Sequence, residues 1–238
     1  KRVIALGFFD GVHKGHGELL KMTKRRAAEI GATPSVLSFD VHPDTLVFHK
    51  DVPLINSAIS REEIIRRCYG IDNVVFLHFN QHVMRMPWRE FIDSLIAELG
   101  IAWIVVGHDF CFGYKGEGTA ARLQEYCHEN GLGCDIIPAL CIDGRVVSST
   151  YIRELIAAGD METANRFLGH PHTLSDTVHS GYHLGTNLGA YDWNVGGEYM
   201  PYNSLYGGMY YLRKPHQYAS QMRFSMYRWH IPDPIRFT

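Results

Sequence analysis

The chain has 238 residues, room for one large domain or for a domain followed by a smaller unit. Hydrophobic residues make up 46% of it, enough for a sizeable core, and 23 Lys plus Arg against 25 Asp plus Glu leave a formal charge of −2. That balance gives no long-range pull toward nucleic acid or an anionic membrane, and no apolar run is long enough to span a bilayer. Five cysteines, an odd number without C-x-x-C spacing, argue against a disulfide framework or a structural zinc site and for a reducing cytoplasm. No signal peptide opens the chain; Lys1 leads straight into an apolar strand pattern, as if the start were trimmed.

Short apolar runs then alternate with helical patterns. Val3–Gly7 reads as the first strand and Gly17–Ile30 as the first helix. At about 100° per residue, Leu19, Leu20, Thr23, Ala27 and Ile30 fall on one face of that helix, with Lys21, Lys24 and Arg25 elsewhere. Ser35–Phe39 is the next strand. Ser60 with Glu63 has capping-box spacing for a helix through Tyr69. Val74–Phe79 is a third strand, and Pro87 suits the first turn of a helix carrying Phe91, Leu95 and Ile96. Trp103–Gly107 and Cys134–Ala139 are strands on either side of a helix over Gly118–Asn130, and Thr150–Ala157 is a last helix. The alternation predicts an α/β fold, a doubly wound parallel sheet with helices on both faces and ligands beyond the carboxyl ends of the strands. After about Gly169 the helical period is lost, and nine of the thirteen tyrosines lie from Tyr182 onward. The expected division is residues 1–170 for the α/β domain and 171–238 for a small, incomplete β-rich unit.

The junction of the first strand and helix reads Gly7-Phe8-Phe9-Asp10-Gly11-Val12-His13-Lys14-Gly15-His16. Glycines there let backbone approach a phosphate, and the helix N-terminus offers free N–H groups and the positive end of its dipole. Two histidines three apart, with a glycine between them, suit one phosphate. There is no Walker A pattern, and Gly116-x-Gly118-x-x-Ala121 lies too far after its strand for a dinucleotide fingerprint.

The H-x-G-H at this position resembles the signature of the nucleotidyltransferase superfamily. The longer G-F-F-D-G-V-H-K-G-H resembles the adenylyltransferase domain of the bacterial FAD synthetases, bifunctional riboflavin kinase/FMN adenylyltransferases. Phe39-Asp40-Val41-His42-Pro43 resembles that family's F-D-P-H-P. Val106-Gly107-His108-Asp109-Phe110-Cys111-Phe112-Gly113 resembles its G-x-[DN]-F-R-F-G, and Val147-Ser148-Ser149-Thr150-Tyr151-Ile152-Arg153 its I-S-S-T-x-I-R. The four motifs keep the family's order over residues 1 to about 175. Val41 and Cys111 stand where the family carries Pro and Arg, and neither change removes a proposed catalytic group.

The resemblance implies a Rossmann-like nucleotidyltransferase that transfers AMP from ATP to FMN, giving FAD and pyrophosphate. It implies that His13, His16 and Arg153 are catalytic. Gly7, Phe8, Phe9, Asp10, Gly15, Gly107, Asp109, Ser149 and Thr150 are then expected on the ATP side, and Asp40, His42, Asn80, Phe110 and Phe112 on the FMN side. Mg²⁺ is expected to arrive with ATP and stay largely hydrated, and no protein metal site is expected. Bland roles stay open: a surface position for Arg153, a helix cap for Ser149, core packing for Phe110 and Phe112, and a simple turn for Asp40 and His42. His170, His172, His179 and His183 match no defined metal spacing.

In the resembled family a riboflavin kinase domain follows. Here Gly185–Asn194 keeps only part of its G-x-x-L-G-[FY]-P-T-A-N entry pattern, with Tyr191-Asp192-Trp193 replacing Pro-Thr-Ala. Glu198 is oddly spaced from Leu205-Tyr206-Gly207. Kinase activity is expected to be absent or impaired, and self-association through the tail is an expectation, since an incomplete barrel exposes strand edges. Two other functions compete: adenylyl or cytidylyl transfer to another acceptor, such as pantetheine phosphate or nicotinamide mononucleotide, and a flavin- or nucleotide-binding regulator without catalysis.

Overall fold

The first strand, β1 (Arg2–Leu6), is apolar on both faces, so only a position in the middle of a sheet covered on both sides can bury it. The computed structural model describes residues 1–49, 52–176, 178–180, 193–195 and 222–225, and it places β1 there. β2 (Thr33–Phe39), β3 (Asn73–Leu77), β4 (Ile101–Gly107) and β7 (Gly133–Ile137) complete a five-stranded sheet in the order β3-β2-β1-β4-β7. Every pairing is parallel. The doubly wound sheet read from the alternation is the observed one.

The two faces of β1 feed two cores, because side chains alternate along a strand. Ile4 and Leu6 pack with Ile104 and Val106 beneath α5 (Trp88–Leu99) and α6 (Ala120–Glu129). Val3 and Ala5 pack with Val36 and Val105 beneath α1 (Lys14–Ile30) and α3 (Ala58–Tyr69). The chain winds outward from β1 to β2 and β3 on one side, then to β4 and β7 on the other. The carboxyl ends of β1 and β4 therefore flank the point where the winding reverses, which is where open α/β sheets bind ligands.

Several boundaries differ from the sequence reading, each for a local reason. Helix α1 begins at Lys14 because His13 caps it, and its end at Ile30 is 40% exposed rather than buried with the rest of its stripe. Helix α3 starts one turn before the expected capping box, since the Ser57 hydroxyl accepts from the Ser60 N–H at 3.2 Å. Pro87 is the cap residue of α5 and lies outside its first turn. Gly118 and Thr119 form β6, paired antiparallel with β5 (Cys111–Phe112), so α6 begins only at Ala120. Two five-residue helices, α2 (Pro43–Val47) and α4 (Gln81–Arg85), are too short to leave a periodic signature. A hairpin of β8 (Cys141–Ile142) and β9 (Arg145–Val146) turns at Asp143-Gly144, both at positive φ, just before α7 (Ser149–Ala157).

The chain divides into compact units at Lys1–Tyr151 and Ile152–Thr238. Beyond α7, the described residues of the second contain α8 (Met161–Leu168), capped by the Asp160 carboxylate on Thr163 N–H, and four short strands. β10 (Thr173–Asp176) pairs antiparallel with β13 (Met222–Ser225), and β11 (Val178–Ser180) with β12 (Trp193–Val195). Tail residues 181–192 and 196–221, which hold most of the kinase-like motif and the segment expected to self-associate, lie outside the described residues. Among the described residues no helix is long and apolar enough to cross a membrane.

Gly133 stands opposite Trp103 in the β4–β7 pairing, and the indole lies where a Cβ on Gly133 would be. That indole is pinned. Its Nε1 donates to Asp135 at 2.8 Å, while Arg26 forks the same carboxylate at 2.8 and 3.0 Å and stacks over the ring at 4.7 Å. With the ring unable to yield, Gly133→Val should cost at least about 1–3 kcal/mol of overpacking. Urea unfolding should show a lower midpoint; an unchanged midpoint would mean that the indole swings clear.

Candidate active site

Seven residues, Gly7 to His13, carry the chain from β1 into α1, and this turn uses unusual backbone. Phe9 (φ 59°), Gly11 (φ 77°) and Val12 (φ 41°) all have positive φ, a region that a β-branched residue such as Val rarely enters. Such strain persists only where neighbours over-determine it. Asp10 is one of them, 2% exposed, with its carboxylate accepting from the N–H groups of Ile55 (2.9 Å) and Asn56 (3.2 Å). Its carbonyl accepts from the Ser149 hydroxyl at 2.9 Å, which ties the first residue of α7 to the turn. Phe9 is fully buried and packs against His16, ring centroids 5.1 Å apart.

His13 caps α1. Its Nδ1 accepts from the His16 N–H at 3.2 Å, so in the neutral ring the proton sits on Nε2. The His13 and His16 rings stack at 3.6 Å with 12° between their planes. Gly15 makes room for this, since a Cβ there would lie 3.2 Å from His13 Cε1 and Nδ1. His16 keeps some accessible surface but is densely surrounded. Desolvation first, then the charges of His13 and Arg61, hold its pKa well below the usual imidazole value. His16 is therefore neutral at pH 7, and its buried Nδ1 has no hydrogen-bond partner among the described residues.

The next strand end meets this turn. Phe8 packs edge-on against His42 at 4.5 Å, and His42 caps α2 by accepting from the Asp44 N–H at 3.2 Å. Asp40 accepts from His78 Nδ1 (2.7 Å), Val41 N–H (2.7 Å) and Phe79 N–H (3.1 Å). Desolvation pulls its pKa up, but the His78 bond and the two backbone donors outweigh that, and the net shift is downward. Asn80 spends its side-chain oxygen capping α4, on His82 N–H at 3.0 Å and Val83 N–H at 3.1 Å.

A separate group stands at the end of β4. Phe110 stacks on Phe112 at 5.1 Å, and Phe112, 8% exposed, belongs to the α5–α6 core. Gly107 ends the strand, and the Asp109 side chain is 83% exposed. Thr150 follows Ser149 in the first turn of α7, and Arg153 lies one turn further along that helix.

Sequence reasoning did not single out Arg61, the largest fully buried side chain among the described residues. One Nη1 donates to the Phe8 carbonyl (2.5 Å) and the Ser38 hydroxyl (2.8 Å), and Nη2 donates to the Phe39 carbonyl (2.9 Å). Its guanidinium also covers the Phe8 ring at 4.2 Å. Burial lowers its pKa to about 10, against the opposing pull of Asp10 and Asp40, so it stays charged at pH 7. The one trace in the sequence is period: Arg61 precedes Ile65 by four, on the packed face of α3.

The strand order and the turn at the end of β1 define the class, a Rossmann-like α/β fold of the nucleotidyltransferase type. The FAD synthetase family model matches residues 1–151, and the chain belongs to that family. It is 32% identical over 190 residues to the bifunctional riboflavin kinase/FMN adenylyltransferase of Listeria monocytogenes, across 79% of this chain and 60% of that protein. The protein of the same name from Pseudomonas fluorescens is 33% identical over 194 residues, across 81% and 62%. That from Bacillus subtilis is 32% identical over 198 residues, across 82% and 62%. The match thus spans about three fifths of the length of these curated relatives. A solved structure of a macrolide-efflux protein from Streptococcus pneumoniae aligns with a TM-score of 0.70 at 27% identity, over 82% of this chain and 64% of that one.

The lowered His16 pKa has a stability consequence. In the unfolded chain this imidazole takes up its proton near pH ~6.5, in the folded protein only at lower pH. Acidification below pH ~6.5 therefore favours the unfolded state, down to the folded pKa. Melting curves should drop in this window for the wild type and drop less for His16→Asn; equal drops would show that His16 titrates normally.

Proposed function

We propose that the chain transfers AMP from ATP to FMN, making FAD and pyrophosphate. The observation that carries this reading is the stacked His13/His16 pair at the N-terminus of α1, beside the turn at the end of β1. An oxygen of the FMN phosphate attacks the α-phosphorus of ATP, the bond to the β-phosphate bridging oxygen breaks, and pyrophosphate leaves. Such transfer needs in-line placement and stabilisation of phosphoryl charge more than covalent help.

In this mechanism Gly7, Phe8, Phe9 and Gly15 shape the phosphate-facing turn, and His13 and the neutral His16 donate hydrogen bonds to the α-phosphate oxygens. Asp10 acts through the backbone it holds. Ser149 and Thr150 serve the β- and γ-phosphates at the start of α7; Arg153 joins them on the strength of its place in the motif alone. Gly107 and Asp109 serve the adenosine side. Asp40, His42, Asn80, Phe110 and Phe112 are assigned to FMN, Asn80 and Phe112 by shaping backbone and core, given what their side chains already hold. Mg²⁺ comes with ATP as part of the substrate, held by phosphate oxygens and water. The five cysteines stand as free thiols, which suits a cytoplasmic enzyme.

Incubation with FMN, ATP and Mg²⁺ should yield FAD by chromatography, and riboflavin in place of FMN should not. His16→Ala should lower kcat by about 10²–10³-fold, the usual cost of one donor to developing charge. FMN and ATP binding without any FAD would leave a flavin-binding regulator in place of an enzyme.

A further inference from the structure

Arg61 is a buried charge that the mechanism above does not use, and it stands where the two substrates must be brought into register. Its hydrogen bonds end on backbone carbonyls of two different segments: Phe8, in the turn proposed to hold the ATP phosphates, and Phe39, the last residue of β2 before Asp40 and His42. Ser38 closes the arrangement, accepting from Arg61 and donating to the same Phe8 carbonyl at 2.8 Å. The donor side and the acceptor side are thus joined through one rigid, planar fork. A lysine in its place would offer a point charge on a flexible stem, unable to hold that separation as firmly.

We infer that Arg61 is a positioning residue for adenylyl transfer, setting the distance between the β1–α1 turn and the end of β2 so that the attacking phosphate and the α-phosphorus stand in line. The inference rests on the FMN adenylyltransferase reading. It accounts for a guanidinium kept dry in the core although an apolar side chain would fill the space without desolvation cost. Arg61 touches no reacting atom. Its effect falls on alignment, which is realised in the transition state, and not on the separate grip on each substrate.

The test compares wild type, Arg61→Met, Arg61→Lys and Ser38→Ala. FMN dissociation constants come from flavin fluorescence, and kcat is counted per FMN-binding-competent molecule. Arg61→Met should lose about 100-fold in kcat, the scale of a 1 Å misplacement, with KM for ATP and FMN nearly unchanged. Arg61→Lys and Ser38→Ala should fall between it and wild type. A purely structural role would lower the competent fraction and the melting temperature while leaving kcat per competent molecule intact, and that result overturns the inference. Should Arg61→Met fail to fold, the other two variants decide by the same split. A wild type that makes no FAD sinks the functional reading itself, and the inference with it; an active wild type with equally fast variants sinks the inference alone.

Discussion

Asp10 holds the backbone on which the rest of the site depends. A chain leaving a parallel strand for a helix within seven residues must bend sharply, and here it does so through three positive-φ positions, two of them not glycine. That conformation is costly alone. The Asp10 carboxylate, turned inward onto the Ile55 and Asn56 N–H groups, and its carbonyl, held by Ser149, tie it in place. With the turn held, His13 falls at the cap of α1, and the glycine at position 15 leaves its ring room to stack on His16, since a Cβ there would lie 3.2 Å from it.

The electrostatics of this turn follow from burial. His16 is kept neutral by desolvation and by positive neighbours, which suits a ring that donates a hydrogen bond without adding a fixed charge. The fixed charge lies one layer below, on Arg61, where it meets carbonyl oxygens rather than a carboxylate. A guanidinium bonded to two carbonyls and a hydroxyl keeps its charge and locks geometry at the same time. Phe8 is the shared element, its carbonyl held by Arg61, its ring beneath the guanidinium and against His42. A displacement of either strand end is thereby felt at the other.

Much of the fold was legible in advance, for reasons particular residues supply. The unbroken apolar run Val3–Leu6 requires burial on both faces, and the stripe of Leu19, Leu20, Thr23 and Ala27 requires a helix packed on one. Parallel topology follows from their alternation. Boundaries were less legible because a cap is decided by geometry: Ser57 and Ser60 both satisfy the helix-start rule, and only the packed structure shows which hydroxyl meets the free N–H. Short helices such as α2 and α4 bury no residue and leave no period to read.

The site divides in the same way. By itself the sequence determined the family and the segments that meet at the sheet's edge, because glycines, paired histidines and a helix start at one junction are local chemistry in a fixed order. Only the tertiary structure decided which side chains reach toward that edge and which are spent on the scaffold. Asp10 and Phe112 stand in the motifs and Asn80 follows a strand end, and the fold gives their side chains a loop, the core and a helix cap to hold. Arg61 is one of several charged residues of α3, and it is buried with its guanidinium on the carbonyls of Phe8 and Phe39. Its partners lie 22 to 53 residues away in the chain, and no local pattern encodes a contact that only the folding of the sheet creates.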